Sequence, residues 1–482
     1  MSLGRKLFGK YKSLPVPVKA SIWFTICSFL QKGISMITMP IFTRLLPPEQ
    51  YGVYTVYQSW YNIISIFATM NLSAGVFYNA MIKYEDDRYR FTSSMQGLST
   101  VITLGLFTIY LCFSNYFNKL FDLPTILVMV LFIELVFVSP YRLWSAKQRF
   151  DFKYKNLVVV TLILTIMSPL IGIVAVLLSE HKAEARVFSY AGVQIGIGLV
   201  IFIYNHFKGK SFFVKKYWKY ALWFNVPLIP HYLSMSILGQ SDRIMINNMV
   251  GTSEAAIYGV AYNISQIMTL VTTSISNSFN PYTYKAIKDK KYYSIGKNAK
   301  ILLVFVGVSV VLISCFGPEV IMIFAPEEYF DARWIIPPVS LSVYFIFLYP
   351  LFSNIEFYFE QNKFVTLASI TGALLNILLN YIFIPIFGFI AAGFTTVVCY
   401  FFFAAGHCIF HRIVLKKYLP GVKIYDLRFI ALFSIIITIA TFGIMFLYDL
   451  MIVRYILISI IMIVAIIKRR QIIGIWKEIR KK

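Results

Sequence analysis

The sequence divides into about fourteen apolar stretches of roughly 20 residues, each long enough to cross a bilayer. They run from 20–43 to 450–467. In hydrocarbon, every backbone N–H and C=O must find its partner within the segment, so stretches of this length are helices. Composition agrees, with 59% hydrophobic and 14% charged residues and a mean hydropathy of +0.71. The expected fold class is an all-α polytopic membrane protein.

The basic residues orient it. Of 45 lysines and arginines, 37 fall on one set of alternating connections, 6 on the other, and 2, Lys32 and Arg243, inside apolar segments. Short cytoplasmic loops carry the excess of Lys and Arg, so both termini are expected in the cytoplasm. The net charge of +24 is therefore a topology signal, and no nucleic-acid partner is expected. The five cysteines all lie in apolar segments and form no metal or disulfide pattern.

The organisation expected is a basic amphipathic N-terminus (1–19), a first lobe of six spans (20–205) and a basic linker (206–219). A second lobe of six spans (220–411), a basic loop (412–428), two further spans (429–467) and a basic tail (468–482) follow. A faint internal repeat pairs Gly52-Val53-Tyr54 with Ala256-Ile257-Tyr258. The outer loops are short, so the chemistry must lie within the membrane.

Several segments carry a resemblance. They are the run Pro40-Ile41-Phe42-Thr43-Arg44-Leu45-Leu46-Pro47-Pro48-Glu49-Gln50-Tyr51-Gly52-Val53-Tyr54, Lys147-Gln148-Arg149-Phe150, Pro227-Leu228-Ile229-Pro230-His231 and Ser241-Asp242-Arg243. Further on come Phe316-Gly317-Pro318-Glu319, Ala325-Pro326-Glu327-Glu328-Tyr329, Asn376 to Asn380, Pro385-Ile386-Phe387-Gly388 and Ala391-Ala392-Gly393. In order and spacing the chain resembles bacterial polysaccharide transporters. These are the O-antigen and capsule repeat-unit flippases of the multidrug/oligosaccharidyl-lipid/polysaccharide superfamily. The resemblance implies two six-helix lobes in a V shape and alternating access; the last two of the fourteen spans would then be additional C-terminal helices. It also implies a lipid-diphosphate-linked oligosaccharide as cargo, a bacterial inner-membrane location, and a polysaccharide polymerase and glycosyltransferases as working partners.

Lys32 is the sharpest candidate for cargo binding. It lies 13 residues after Lys19 and 12 before Arg44, roughly 18–20 Å from each along a helix. That depth is beyond easy snorkelling, and a cation there usually faces an internal cavity. Its job would be to attract a pyrophosphate; the competing role is an ion pair with Glu134. Arg243 could clamp phosphate bidentately or lock two helices together. Gln31, Asn71 and Asn263 are candidate lumen amides for a sugar, against the alternative of helix–helix glue.

Asp242, Glu134 and Glu356 are candidates for coupling to a cation, H+ or Na+. Pro227 and Pro230, followed by His231, should interrupt their span and permit bending. No catalytic motif or cofactor site stands out, so a transporter is expected rather than an enzyme. Two other readings compete. A cation-coupled multidrug exporter of the same superfamily would want an acidic cavity, which Lys32 disfavours. A membrane glycan polymerase or ligase would want a large outer loop.

Overall fold

The computed structural model describes residues 15–359 and 361–467, and these are helical with no strand among them. The N-terminal residues 1–14 and the tail 468–482, read above as amphipathic and basic segments, lie outside the described residues. The chain forms two compact units, Met1–Ala256 and Ile257–Lys482.

The first unit holds α1 (Val16–Leu45), α2 (Pro48–Thr69), α3 (Gly75–Lys83), α4 (Arg88–Cys112) and α5 (Ser114–Phe121). It continues with α6 (Thr125–Phe150), α7 (Tyr154–Leu178), α8 (Lys182–Gly209), α9 (Lys215–Asn225) and α10 (Ile229–Met249). Helix α11 (Thr252–Ser265) runs across the division. The second unit holds α12 (Ile267–Lys288), α13 (Tyr292–Cys315), α14 (Gly317–Phe324) and α15 (Ile336–Tyr358). Helices α16 (Asn362–Phe387), α17 (Ala391–Tyr418), α18 (Leu427–Met445) and α19 (Met451–Ile467) complete it.

Ten of the described helices are long and apolar enough to cross a membrane. The other four sequence-derived spans meet broken, polar or short helices. Span 52–82 is α2 and α3, separated where Met70 and Asn71 adopt left-handed backbone, a conformation that ends helices. Its buried face carries Tyr51, Thr55, Tyr57, Ser59, Tyr61, Ser65 and Thr69, which lowers its hydropathy. Span 220–247 is α9, a 3₁₀ turn over Val226–Leu228, and α10. Pro227 sits in that turn and Pro230 opens α10, so the two prolines make a joint between helices. Span 255–282 is divided between α11 and α12, and α19 has only 17 residues.

Packing explains the unit boundary. Helix α10 lies along α2, so residues 220–249, assigned by sequence to the second lobe, pack with the first unit. Within that unit α6 pairs with α8, and α1 with α7. The α6–α8 approach requires Gly198, where a methyl group would overlap the backbone carbonyl of Phe137. Gly198→Ala should therefore push the pair apart and cost about 1–3 kcal/mol, read as a lower thermal midpoint; an unchanged midpoint would mean looser packing. In the second unit α15 is the most buried of the ten helices. It is packed by α12, α13, α17 and α18.

Candidate functional site

Lys32 projects from the middle of α1 and is half-buried. Among the described residues it makes no hydrogen bond or ion pair. The charge that acts on it is Arg243, a second cation. Arg243 is 7% exposed on α10, and its Nη1 donates to Gln240 Oε1 at 2.8 Å, one turn earlier. Asp242, beside it, is buried as well. Two like charges thus act on each other here, and burial of Arg243 screens them less than open water would. An anion between them would relieve that repulsion, and paired donors of this kind suit phosphate.

Glu134 does not neutralise Lys32. It is fully buried on α6, and its Oε2 accepts a 2.7 Å hydrogen bond from Tyr57 Oη of α2. The cation that attracts it is Arg142. The structural ion pair considered for Lys32 is therefore not formed, and the lysine has no protein counter-ion among the described residues.

The other sequence-derived candidates divide. Asn71 lies at the α2–α3 break and bonds with Tyr232 of α10, near His231, whose ring packs 5.7 Å from that of Tyr232. Pro227 and Pro230 are exposed. Gln31 is exposed too, and it points away from the Lys32 position as its place one residue earlier on a helix requires. Asn263 and Glu356 belong to the second unit, where Asn263 is exposed and Glu356 wholly buried. Other membrane amides prove to be helix glue. Asn205 Nδ2 donates to Gln96 Oε1 at 3.1 Å, Asn225 Nδ2 to the Met70 carbonyl at 3.0 Å, and Thr395 Oγ1 to Asn380 Oδ1.

The family model described as polysaccharide biosynthesis protein matches residues 18–287, more than half of the chain. The chain belongs to this family. A second family model, MatE, matches residues 227–382. The "Lsg locus putative protein 1" of Haemophilus influenzae is 20% identical over 379 residues, 74% of this chain and 89% of that protein. Two solved structures share the fold. One is the lipid II flippase MurJ in an inward closed conformation, with a TM-score of 0.65 and 16% identity over 89% of this chain and 99% of that one. The other is an inward-facing multidrug resistance MATE family transporter, with a TM-score of 0.62 and 14% identity over 83% and 99%. The chain is thus a multi-pass membrane protein of the polysaccharide biosynthesis family that shares the fold of these two transporters.

This polysaccharide biosynthesis protein buries two more arginines that loop counting assigned to the outer side. Arg186 of α8 is 8% exposed, with its guanidinium 3.8 Å from the Phe42 ring and 4.5 Å from the Tyr54 ring. Its Nη2 reaches Tyr54 Oη at 3.4 Å. Gly172 of α7 leaves it room, since a methyl group there would press on Nη1. Arg454 of α19 is 2% exposed and ion-paired with Glu319 of α14, the acid of the Phe316-Gly317-Pro318-Glu319 motif. The signal for both was position: each lies within a turn or so of an apolar run. Their partners come from remote parts of the chain.

Proposed function

We infer that this protein moves undecaprenyl-diphosphate-linked oligosaccharide repeat units across the bacterial cytoplasmic membrane by alternating access, with both termini in the cytoplasm. The product would serve O-antigen, capsule or another surface polysaccharide. The observation that carries this reading is Lys32: a half-buried mid-span cation, without a protein counter-ion among the described residues and facing the charge of Arg243. A diphosphate supplies the missing negative charge, and the lysine meets it as a point charge with three donors. Glycosyltransferases would supply the loaded lipid and a polymerase would take the delivered unit.

The lipid part of such a cargo needs an apolar surface. The second unit has a groove of about 610 Å³ among α15, α17 and α18, lined by Phe345, Phe352, Phe394, Phe401, Leu427 and Phe442 among others. Its lining is almost entirely hydrocarbon and aromatic, which fits a polyprenyl chain.

The multidrug-exporter reading is favoured by the MatE match and the MATE fold likeness. Cationic drugs, however, would meet Lys32 and Arg243 as repulsive charges. Deleting the chain from its host separates the two. Loss of surface glycan with accumulation of unexported lipid-linked repeat units supports the flippase; intact glycan with raised sensitivity to cationic drugs would replace it with the exporter.

A further inference from the structure

The second unit buries an acid and a histidine against each other. Glu356 of α15 and His407 of α17 are both completely inaccessible, and His407 Nδ1 lies 2.9 and 3.0 Å from the two carboxylate oxygens. Tyr349 and Phe403 wall the imidazole, with ring centroids 4.7 and 4.8 Å away, and Phe410 closes it from farther along α17. His407 Nε2 is buried with no hydrogen-bond partner.

Other titratable groups surround the pair. They are Tyr349 on α15, Tyr284 on α12, whose charge would act on Tyr349, and His411 and Arg412 on α17. Tyr425, ahead of α18, packs against His411 with ring centroids 5.3 Å apart and planes tilted by 41°. Among the described residues His407 alone is ion-paired with Glu356. An ionised Glu356 beside a neutral imidazole would therefore leave one uncompensated negative charge in a dry interior, which is costly. One added proton neutralises the pair, either as imidazolium and carboxylate or as imidazole and carboxylic acid.

We propose that Glu356 and His407 together form the coupling site of the second unit and that its ligand is a single proton. The reading rests on the transporter function above and chooses between the two coupling ions that the buried acids allow. Hard metal cations take shells of oxygen ligands; here both carboxylate oxygens face one nitrogen, and the imidazole that carries it is packed by aromatic rings. A proton needs only the N–H···O line. It enters from water, is held by the pair, and leaves to water in the opposite state of the cycle. Only N–H and O–H bonds are made or broken, and no further reactant is consumed.

Infrared titration of the full chain in nanodiscs tests the site without reference to cargo. One carboxyl–imidazole signal is expected, lost in Glu356→Gln and equally in His407→Gln, because one proton is shared. A wild-type titration that survives unchanged in Glu356→Gln overturns the proposal. Should His407→Gln fail to insert, isotope-labelled histidine in the wild-type chain replaces it, and absence of an imidazole contribution to the signal is equally fatal. In proteoliposomes carrying a pH gradient, Glu356→Gln is expected to lose any acceleration of lipid-linked glycan movement by the gradient. If the proton signal is present but wild-type protein moves no lipid-linked glycan, the cargo reading fails and the proton site stands. If glycan moves and the signal does not depend on Glu356, the proton site fails alone.

Discussion

Lys32→Ala should abolish export of the surface glycan while leaving the protein at normal levels in the membrane. A charge-assisted hydrogen bond to a charged group contributes about 1.5–3 kcal/mol, so loss of the lysine should weaken headgroup binding by about ten- to a hundredfold. The fold should not suffer. Lys32 has no hydrogen bond or ion pair to strand among the described residues, and it repels Arg243. Its removal relieves that repulsion, so the thermal midpoint should hold or rise as binding falls. Lys32→Arg keeps the charge and should retain part of the activity, whereas Lys32→Gln should not. Binding by purified variants in nanodiscs, with a thermal scan of the same samples, separates the two effects; a collapse of the midpoint in Lys32→Ala would make the lysine structural.

Arg454→Ala is expected to be the most destabilising single change in the second unit. Its guanidinium is ion-paired with Glu319 of α14, which also accepts a 2.8 Å hydrogen bond from Tyr455 Oη. Nearby, Tyr448 Oη donates to the Ser314 carbonyl at 2.8 Å. These polar contacts fasten the last helix to α13 and α14. Arg454 is 2% exposed and Glu319 25%, so removing the arginine leaves a partly buried carboxylate without its counter-ion, at a cost of about 1–3 kcal/mol. Apolar or neutral substitution of both partners commonly recovers much of that. Glu319→Gln combined with Arg454→Met should therefore unfold later than Arg454→Ala, as thermal or denaturant unfolding in detergent would show. Equal midpoints for the single and double variants would mean that the ion pair contributes little.

The membrane class was legible because a bilayer leaves few options: runs of apolar residues must be helices, and basic residues mark the loops. What escaped were interruptions whose cause is three-dimensional. The polar face of α2, with Tyr51, Tyr57 and Tyr61 turned inward, is stable because α6, α8 and α10 cover it, and hydropathy cannot report that cover. Pro227 and Pro230 announced a break, and the structure turns it into a joint between α9 and α10.

Charged residues followed the same rule. Lys32 was visible because it lies deep within a run. Arg186 and Arg454 were not, because they stand near helix starts, where a shift of one turn moves a residue from loop to interior. Glu356 was visible as an acid near a span end. His407, its partner, lies 51 positions later, in a span that also holds His411, and neither histidine carries a pattern that points back to Glu356. Gly198 likewise gave no sign that the backbone of Phe137 would press on it.

Lys32, a mid-span cation in the first unit, is expected to bind the diphosphate of a lipid-linked sugar. The most direct test is translocation of a fluorescent undecaprenyl-diphosphate oligosaccharide by the purified chain in proteoliposomes, wild type against Lys32→Ala, with leaflet location read by an impermeant quencher. The expected result is movement by the wild type and none above empty vesicles for Lys32→Ala at equal protein content. Equal movement by the two would contradict the account.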